Sequence, residues 1–455
     1  MVDIVARRVS KRFLYHHLSV WYRGSMKWIF FLLFFFFLFG SGGVLLFGIL
    51  SSGNGRLMVY PKPEANFWAF RSIDTMKHSR DLAREKLSDA SYDAVIDREI
   101  KAIADTGASH VAIATPYDEE FAPYLRRWVL AARRHTLSVW FRGNFSGWEK
   151  WFGYPEISRE DHLEKTRVFI ERHADLFEDG DAFSPCPECE NGGPGDPRQT
   201  GDVSGYRNFL IDEYELSNAA FEKAGKRVMT HFFSMNGDVA RLVMDKETTR
   251  RLGGAVTIDH YVKTPEMLAI DLERFARESD GRVVLGEFGA PIPDIHGKMN
   301  EEEQSKWLYD ALSRISRVPN VLGVNYWTYN GSSTALWSEN GEASLGASVL
   351  STFYRPRVFY GTVVDELGMP ISGASLFLGE EKALSNAEGY FELRVPIRRG
   401  DVAQFSVSAP GFLSLDATGE ETQMHIVLRR EHETRWFKVQ KWLKETMRDR
   451  KYLSL

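Results

Sequence analysis

Eight short apolar runs alternate with longer amphipathic stretches, and this alternation constrains the fold more than any other feature of the chain. The runs are Phe67–Ile73, His110–Thr115, Leu137–Arg142, Ala182–Cys186, Arg227–Phe233, Ala255–Tyr261, Arg282–Glu287 and Val321–Thr328. Each is short, rich in β-branched or aromatic residues and bounded by turn residues, the pattern of a buried strand. The stretches between them carry helix punctuation. Ser158-Arg-Glu-Asp161 spells a capping box, and Thr264-Pro265-Glu266 supplies an N-cap, a proline for the first position and an early acid. Asn300 precedes three glutamates, while Gly107, Gly225 and Gly281 fall where helices should stop. Eight strand–helix units in roughly 290 residues match the size of a (β/α)8 TIM barrel in the α/β class. An open doubly wound sheet is the competing architecture, but no glycine-rich phosphate loop follows any strand.

The N-terminus differs from the rest. Trp28–Leu50 holds no charged residue across 23 positions, long enough to cross a bilayer with some tilt. Trp28–Phe39 alone would fit the apolar part of a cleaved signal peptide. The run resumes after Gly40-Ser41-Gly42-Gly43, however, and no small-x-small cleavage site follows Leu50. An uncleaved transmembrane signal anchor is therefore expected. Arg7, Arg8, Lys11, Arg12, Arg23 and Lys27 precede the span and only Arg56 and Lys62 follow it closely. That bias puts the N-terminus in the cytoplasm and the remainder outside, anchored to the cell membrane by a single pass.

The expected organisation is a basic cytoplasmic tail (1–27), the anchor (28–50), a Gly/Ser/Pro-rich linker (51–66), the barrel (67–355), a small β domain (356–430) and a C-terminal helix (431–455). A net charge of −5 gives no reason to expect nucleic acid as a partner, and two cysteines form no disulfide framework. Beyond Pro356 the pattern changes to short alternating strands with turn signals, as in a small antiparallel β-sandwich. The segment Gly361-Thr-Val-Val-Asp-Glu-Leu-Gly-Met-Pro-Ile-Ser-Gly-Ala, with Asn386-Ala-Glu-Gly-Tyr-Phe after it, resembles the carboxypeptidase regulatory-like β-sandwich. That resemblance implies a packing or spacing module. In the last stretch Trp436, Val439, Leu443 and Met447 share one helical face, and Lys438, Lys441, Lys444, Arg448 and Arg450 lie mostly elsewhere. A helix docked on the sandwich and an interfacial helix on anionic lipid both fit that pattern.

Barrels of this kind place their chemistry at the carboxyl ends of the strands. Run seven ends Leu285-Gly286-Glu287-Phe288-Gly289, an ionisable group closing an apolar strand. A buried carboxylate is costly unless paired, so Glu287 reads as functional. Run four ends Pro185-Cys186-Pro187-Glu188-Cys189-Glu190 and offers a second carboxylate. Two carboxylates across one pocket suit glycosidic cleavage, one protonating the leaving oxygen while the other attacks the anomeric carbon or activates water.

Gly286-Glu287-Phe288-Gly289, the strand-four glutamate and Asn325-Tyr326-Trp327 resemble the clan A, cellulase-like glycoside hydrolases. The resemblance implies a retaining double displacement with Glu287 as nucleophile and Glu188 as acid/base, needing no cofactor and no metal. It also implies that Tyr261 hydrogen-bonds the nucleophile. The clan carries Asn-Glu-Pro at strand four where this chain has Pro187-Glu188-Cys189, and Glu190 is the competing acid/base or a substrate contact. Further substrate contacts are expected from Arg71 at strand one, Arg142 and Asn144 at strand three, His231 at strand five and Trp327 as a sugar platform. His260 reads equally as pocket lining or as a satisfied core histidine. Cys186 and Cys189 lack a thioredoxin-like setting and further zinc ligands. Outside the cytoplasm they could close to a disulfide that fixes Glu188, and the sequence leaves their oxidation open.

The expected protein is thus a membrane-anchored retaining glycoside hydrolase acting on an envelope or extracellular polysaccharide. The alternative is a non-catalytic glycan-binding or polysaccharide-assembly protein on the same scaffold. The sequence carries no signal for the sugar, the linkage or the oligomeric state.

Overall fold

A computed structural model of the chain describes residues 63, 66–398, 400–419 and 422–452. The expected tail, anchor and most of the linker lie outside the described residues. Among the described residues no helix is long and apolar enough to cross a membrane.

Residues 70–354 form a mixed α/β unit in which strands and helices alternate. The strands are β1 (Phe70–Ile73), β2 (His110–Ile113), β3 (Ser138–Phe141), β4 (Ala182–Phe183), β5 (Ser234–Asn236), β6 (Ala255–Asp259), β7 (Arg282–Phe288) and β8 (Val321–Tyr326). The principal helices after them are α1 (Asp93–Thr106), α2 (Ala122–Arg134), α3 (Arg159–Arg172), α4 (Val203–Lys223), α5 (Gly237–Val243), α6 (Pro265–Ser279), α7 (Glu301–Ile315) and α8 (Leu345–Tyr354). All pairings are parallel, in the order β5-β6-β7-β8-β1 in one sheet and β2-β3-β4 in another. A parallel bridge from Asp74 to Ala112 joins β1 to β2, and one from Ala182 to Met229 joins β4 to the segment entering β5.

β5 departs from expectation. The apolar run at 227–233 predicts a strand there, yet the ladder to β6 forms at Ser234–Asn236, with Ser234 opposite Thr257. Phe232 leaves the ladder to join Phe70, Ala112, Trp140, Ala182 and Val284 in an interior cluster drawn from six neighbouring segments. The opposite faces of the strands pack on the helices in a larger core that includes Ile113, Trp128, Phe141, Ile258 and Leu285. Each such fully buried side chain stabilises the unit by about 1.5–3 kcal/mol.

The helix punctuation folds largely as read. Ser158 with Asp161 and Asn300 with Glu303 make reciprocal capping boxes, and Thr264 accepts from the Met267 N–H. Gly107, at φ 93°, ends α1. At the end of α6 the left-handed residue is Asp280 (φ 56°) rather than Gly281. Gly281 is needed for space, since a Cβ there would lie 2.7 Å from Thr249 Cγ2.

The C-terminal part has its own core, built on Phe359, Leu376, Phe391, Phe405 and Ile426. β9 (Arg357–Asp365), β12 (Tyr390–Val395) and β15 (Gln423–Leu428) form one sheet. β10 (Ser375–Leu378), β11 (Glu381–Leu384), β13 (Ala403–Ser408) and β14 (Leu415–Gly419) form an antiparallel second. The expected wholly antiparallel arrangement fails at one pair, because β15 runs parallel to β9. The final helix, α9, spans Arg435–Tyr452.

Candidate active site

Two residues beyond Trp140 of the interior cluster stands Arg142, just past β3, with its guanidinium fully buried. Nη1 donates to Asp74 Oδ2 at 2.9 Å and to Glu287 Oε1 at 2.5 Å. Nη2 donates to Asp259 Oδ2 at 2.8 Å and to Ser234 Oγ at 3.1 Å. One cation thus binds carboxylates from the ends of β1, β6 and β7. Gly286 makes room for this convergence: a Cβ there would lie 2.5 Å from Asp259 Oδ1.

Glu287 receives a second donor. The Tyr261 hydroxyl donates to Oε2 at 2.9 Å, so each oxygen of the carboxylate is held separately. Burial, reinforced by the Glu287 charge, holds the Tyr261 phenol well above its usual range, so it remains a donor. Glu188 faces this group. Carboxylate oxygens of Glu188, Asp259 and Glu287 all lie within 4.8 Å of one another. Burial first, and then the charge of Glu287, push Glu188 up to about 8, while Arg142 opposes the shift. Asp259 is also held well above the usual carboxylate range by burial, despite its contact with Arg142, and Asp74 is raised for the same reason. Burial thus raises Asp74, Asp259 and Glu188 although the Arg142 guanidinium lies among them.

Glu188 is fixed through its backbone. Cys186 and Cys189 form a disulfide that brackets it. Its φ is +44°, in the left-handed region, and its N–H donates to the Ser234 carbonyl at 2.7 Å. Apart from Asn191, which donates to Oε1 at 3.2 Å, no protein hydrogen bond to its carboxyl is found among the described residues.

Glu190 is differently placed. Oε1 accepts from the backbone N–H and the side-chain Nδ2 of Asn236 at 2.7 and 2.9 Å, and Oε2 accepts from the Tyr206 hydroxyl at 3.2 Å. With both oxygens engaged and the residue buried, Glu190 ties the strand-four loop to β5. Trp327 follows β8, its ring edge-to-face with Tyr261 at 6.1 Å and the Lys77 ammonium 5.9 Å from its centroid. Its Nε1 has no protein partner.

Five other expected substrate contacts are placed as follows. Arg142 is fully buried, with both terminal nitrogens engaged by Asp74, Glu287, Asp259 and Ser234. Arg71 turns away from the cluster, donating to the carbonyls of Trp68 at 2.6 Å and of Gly107, at the end of α1, at 3.2 Å. Asn144 accepts from the Phe145 N–H and pairs with His162, itself bonded to buried Glu213, so it belongs to a structural network. His231 lies at the amino-terminal side of the strands, its Cβ 2.8 Å from where a Gly253 Cβ would stand, because β5 begins later than the apolar run suggests. Burial and the Arg282 charge push its imidazole down to about 4. His260 pairs with Asp271 of α6 at 2.7 Å and packs against Phe275, the satisfied-core alternative. Asp74, which follows the first apolar run and is plausible for a subsite, joins the cluster, and so does Asp259, to which no role was assigned; the available signal for Asp259 was an acid near the end of an apolar run.

No protein-family model matches the chain, and no curated protein matches its sequence. Similar solved structures include Bacteroides uniformis beta-glucuronidase 2, covalently bound to cyclophellitol-6-carboxylate aziridine (12% identity, 79% of this chain, 46% of that chain, TM-score 0.44). Another is GH5_18 from Streptomyces cattleya in complex with Manb1-4GlcNAc (16% identity, 65% and 85%, TM-score 0.47). A third is the FMN-binding beta-glucuronidase from Facaelibacterium prausnitzii L2-6 (12%, 76% and 54%, TM-score 0.41). The chain spans about half the length of the glucuronidases it matches.

Proposed function

We propose that residues 67–355 are a closed (β/α)8 barrel that hydrolyses glycosides with retention of anomeric configuration. The observation that carries this reading is the opposition of Glu188 and Glu287. Their nearest oxygens lie within 4.8 Å, a close opposition that favours the ~5–5.5 Å carboxyl separation of a retaining pair. The two groups also differ in environment as the mechanism requires. Glu188, raised to about 8, keeps its proton at neutral pH and can deliver it to the leaving oxygen. Glu287 accepts from Arg142 and Tyr261, two donors that orient it toward the anomeric carbon. Once the glycosyl-enzyme has formed, Glu188 is the base that draws a proton from the incoming water.

Asp259 and Asp74 act as positioning residues through Arg142. Trp327, beside Tyr261, supplies an apolar face for a sugar ring. The disulfide around Glu188 suits an oxidising compartment outside the cytoplasm, in line with the apolar run at 28–50 acting as the membrane anchor. The substrate class under this reading is a polysaccharide or oligosaccharide of the envelope or surroundings. The C-terminal sheets, with their carboxypeptidase regulatory-like motifs, serve as a packing or spacing module.

The test is a screen of the protein against aryl glycosides and a glycan panel, followed by variants at strand four. On an activated aryl glycoside, Glu188→Ala should retain the first step, accumulate the glycosyl-enzyme and regain turnover with azide. Glu190→Ala should weaken binding or folding without an azide response. An azide response at Glu190 alone would overturn the assignment, and full activity in both variants would overturn the two-carboxylate mechanism.

A further inference from the structure

α9 docks on the chain with its polar side. Phe437 is buried, and the Arg430 guanidinium lies between its ring, 4.8 Å away, and that of Phe412, 5.1 Å away. Lys441 pairs with Glu366 at 2.6 Å and Glu433 at 3.0 Å, and Lys444 donates to the Glu366 carbonyl at 3.2 Å. At ~100° per residue these three inward residues fall within an arc of about 60°. The opposite arc holds Trp436, Val439, Trp442 and Leu443, which are 63, 45, 61 and 40% exposed. A helix on a self-sufficient domain buries its apolar stripe and exposes its lysines. Here the arrangement is reversed, and the exposed stripe carries two tryptophans, the residue type concentrated at membrane–water boundaries.

Charge identifies what covers the stripe. The helix has seven Lys and Arg against two Asp and Glu, in a chain whose net charge is −5. Exposed Lys438 borders the apolar arc, and exposed Arg435 falls within it at the start of the helix. A second copy of the helix laid on this face would have to cover Arg435 and bring Lys438 toward like charge. We propose that α9 is an interfacial lipid-binding helix. Its Trp436–Val439–Trp442–Leu443 arc enters the headgroup–acyl boundary of a bilayer, and its flanking basic residues meet anionic headgroup phosphates. This assignment is independent of the catalytic reading.

The experiment uses the full-length chain with Val439→Cys carrying a nitroxide label. The native cysteines are joined to each other, so labelling is directed to the introduced thiol. The protein is reconstituted in phosphatidylcholine vesicles with or without phosphatidylglycerol, and a label at the exposed Ser414→Cys position is the control. Paramagnetic relaxation by oxygen should exceed that by a water-soluble nickel chelate several-fold at position 439 in the anionic vesicles only. High salt, or Arg435→Glu with Lys438→Glu, should reverse this, and position 414 should stay water-like throughout. A water-like label at 439 in anionic vesicles overturns the proposal. So does equal immersion in neutral vesicles, which removes headgroup recognition. Protection already present in detergent would assign the face to a second copy instead.

Discussion

Replacing Glu287 with glutamine should lower the proton affinity of Glu188. The facing carboxylate is the second largest cause of its elevation to about 8, after burial. A unit charge within 4.8 Å, at the effective dielectric of ~20 that suits protein sites, is worth about 3 kcal/mol. Since one pH unit corresponds to ~1.4 kcal/mol, Glu287→Gln should move Glu188 down by up to about 2 pH units, with burial left in place. The glutamine is isosteric, so Arg142 and Tyr261 keep a partner. Difference infrared spectroscopy follows this without a substrate. The protonated-carboxyl band lost in Glu188→Gln is titrated in the wild type and in the Glu287→Gln background. Under the proposed mechanism the same group should set the alkaline limb of kcat/KM in the wild type. Glu188 must hold its proton to act as acid, so activity falls as pH rises through about 8. A band that titrates at the same pH in both backgrounds would refute the claim that the two carboxylates share one field.

Tyr261→Phe removes the 2.9 Å bond to Glu287 Oε2, a charge-assisted contact worth about 1.5–3 kcal/mol, so kcat/KM should fall roughly 10- to 100-fold and the melting temperature should drop by a few degrees. Arg142→Met leaves three buried carboxylates without their cation and should destabilise the fold by about 3–5 kcal/mol. Removing the cation raises the folded-state proton affinity of Asp74 and Asp259 further above their unfolded values, so this loss should shrink toward acidic pH and grow toward alkaline pH in chemical denaturation. Cys186→Ser with Cys189→Ser frees the backbone that holds Glu188 and should lower kcat by up to about 100-fold on substrates with poor leaving groups, measured beside an activated aryl glycoside that needs little protonation.

Local physics made much of this architecture legible. The runs at β6, β7 and β8 are continuous, apolar and bounded by turns, so their parallel burial followed from composition alone. Glu287 was visible because a charge at the end of such a run has a high desolvation cost. β5 was misplaced because Phe232 and Phe233 look like strand interior. Phe232 instead fills the interior cluster, and the register with β6 starts at Ser234. His231 followed that misplacement to the far end of the strand. Arg142 was recognised as part of the site, but its role depends on Asp74, Asp259 and Glu287, which reach it from 68, 117 and 145 residues away. No local pattern encodes that convergence. The same applies to Glu190, whose carboxylate is held by Asn236 and Tyr206. In α9 the helical face was legible, but which side would dock was not. Glu366 and Glu433 decide it by pairing with Lys441.

The most direct test of the central claim is the anomeric configuration of the first sugar released. Hydrolysis of an active aryl glycoside should be followed by proton NMR from the earliest time points, before mutarotation mixes the anomers. Opposition of Glu188 and Glu287 within 4.8 Å predicts a product with the same configuration as the substrate. A product of opposite configuration would contradict the double displacement and the assignment of Glu287 as its nucleophile.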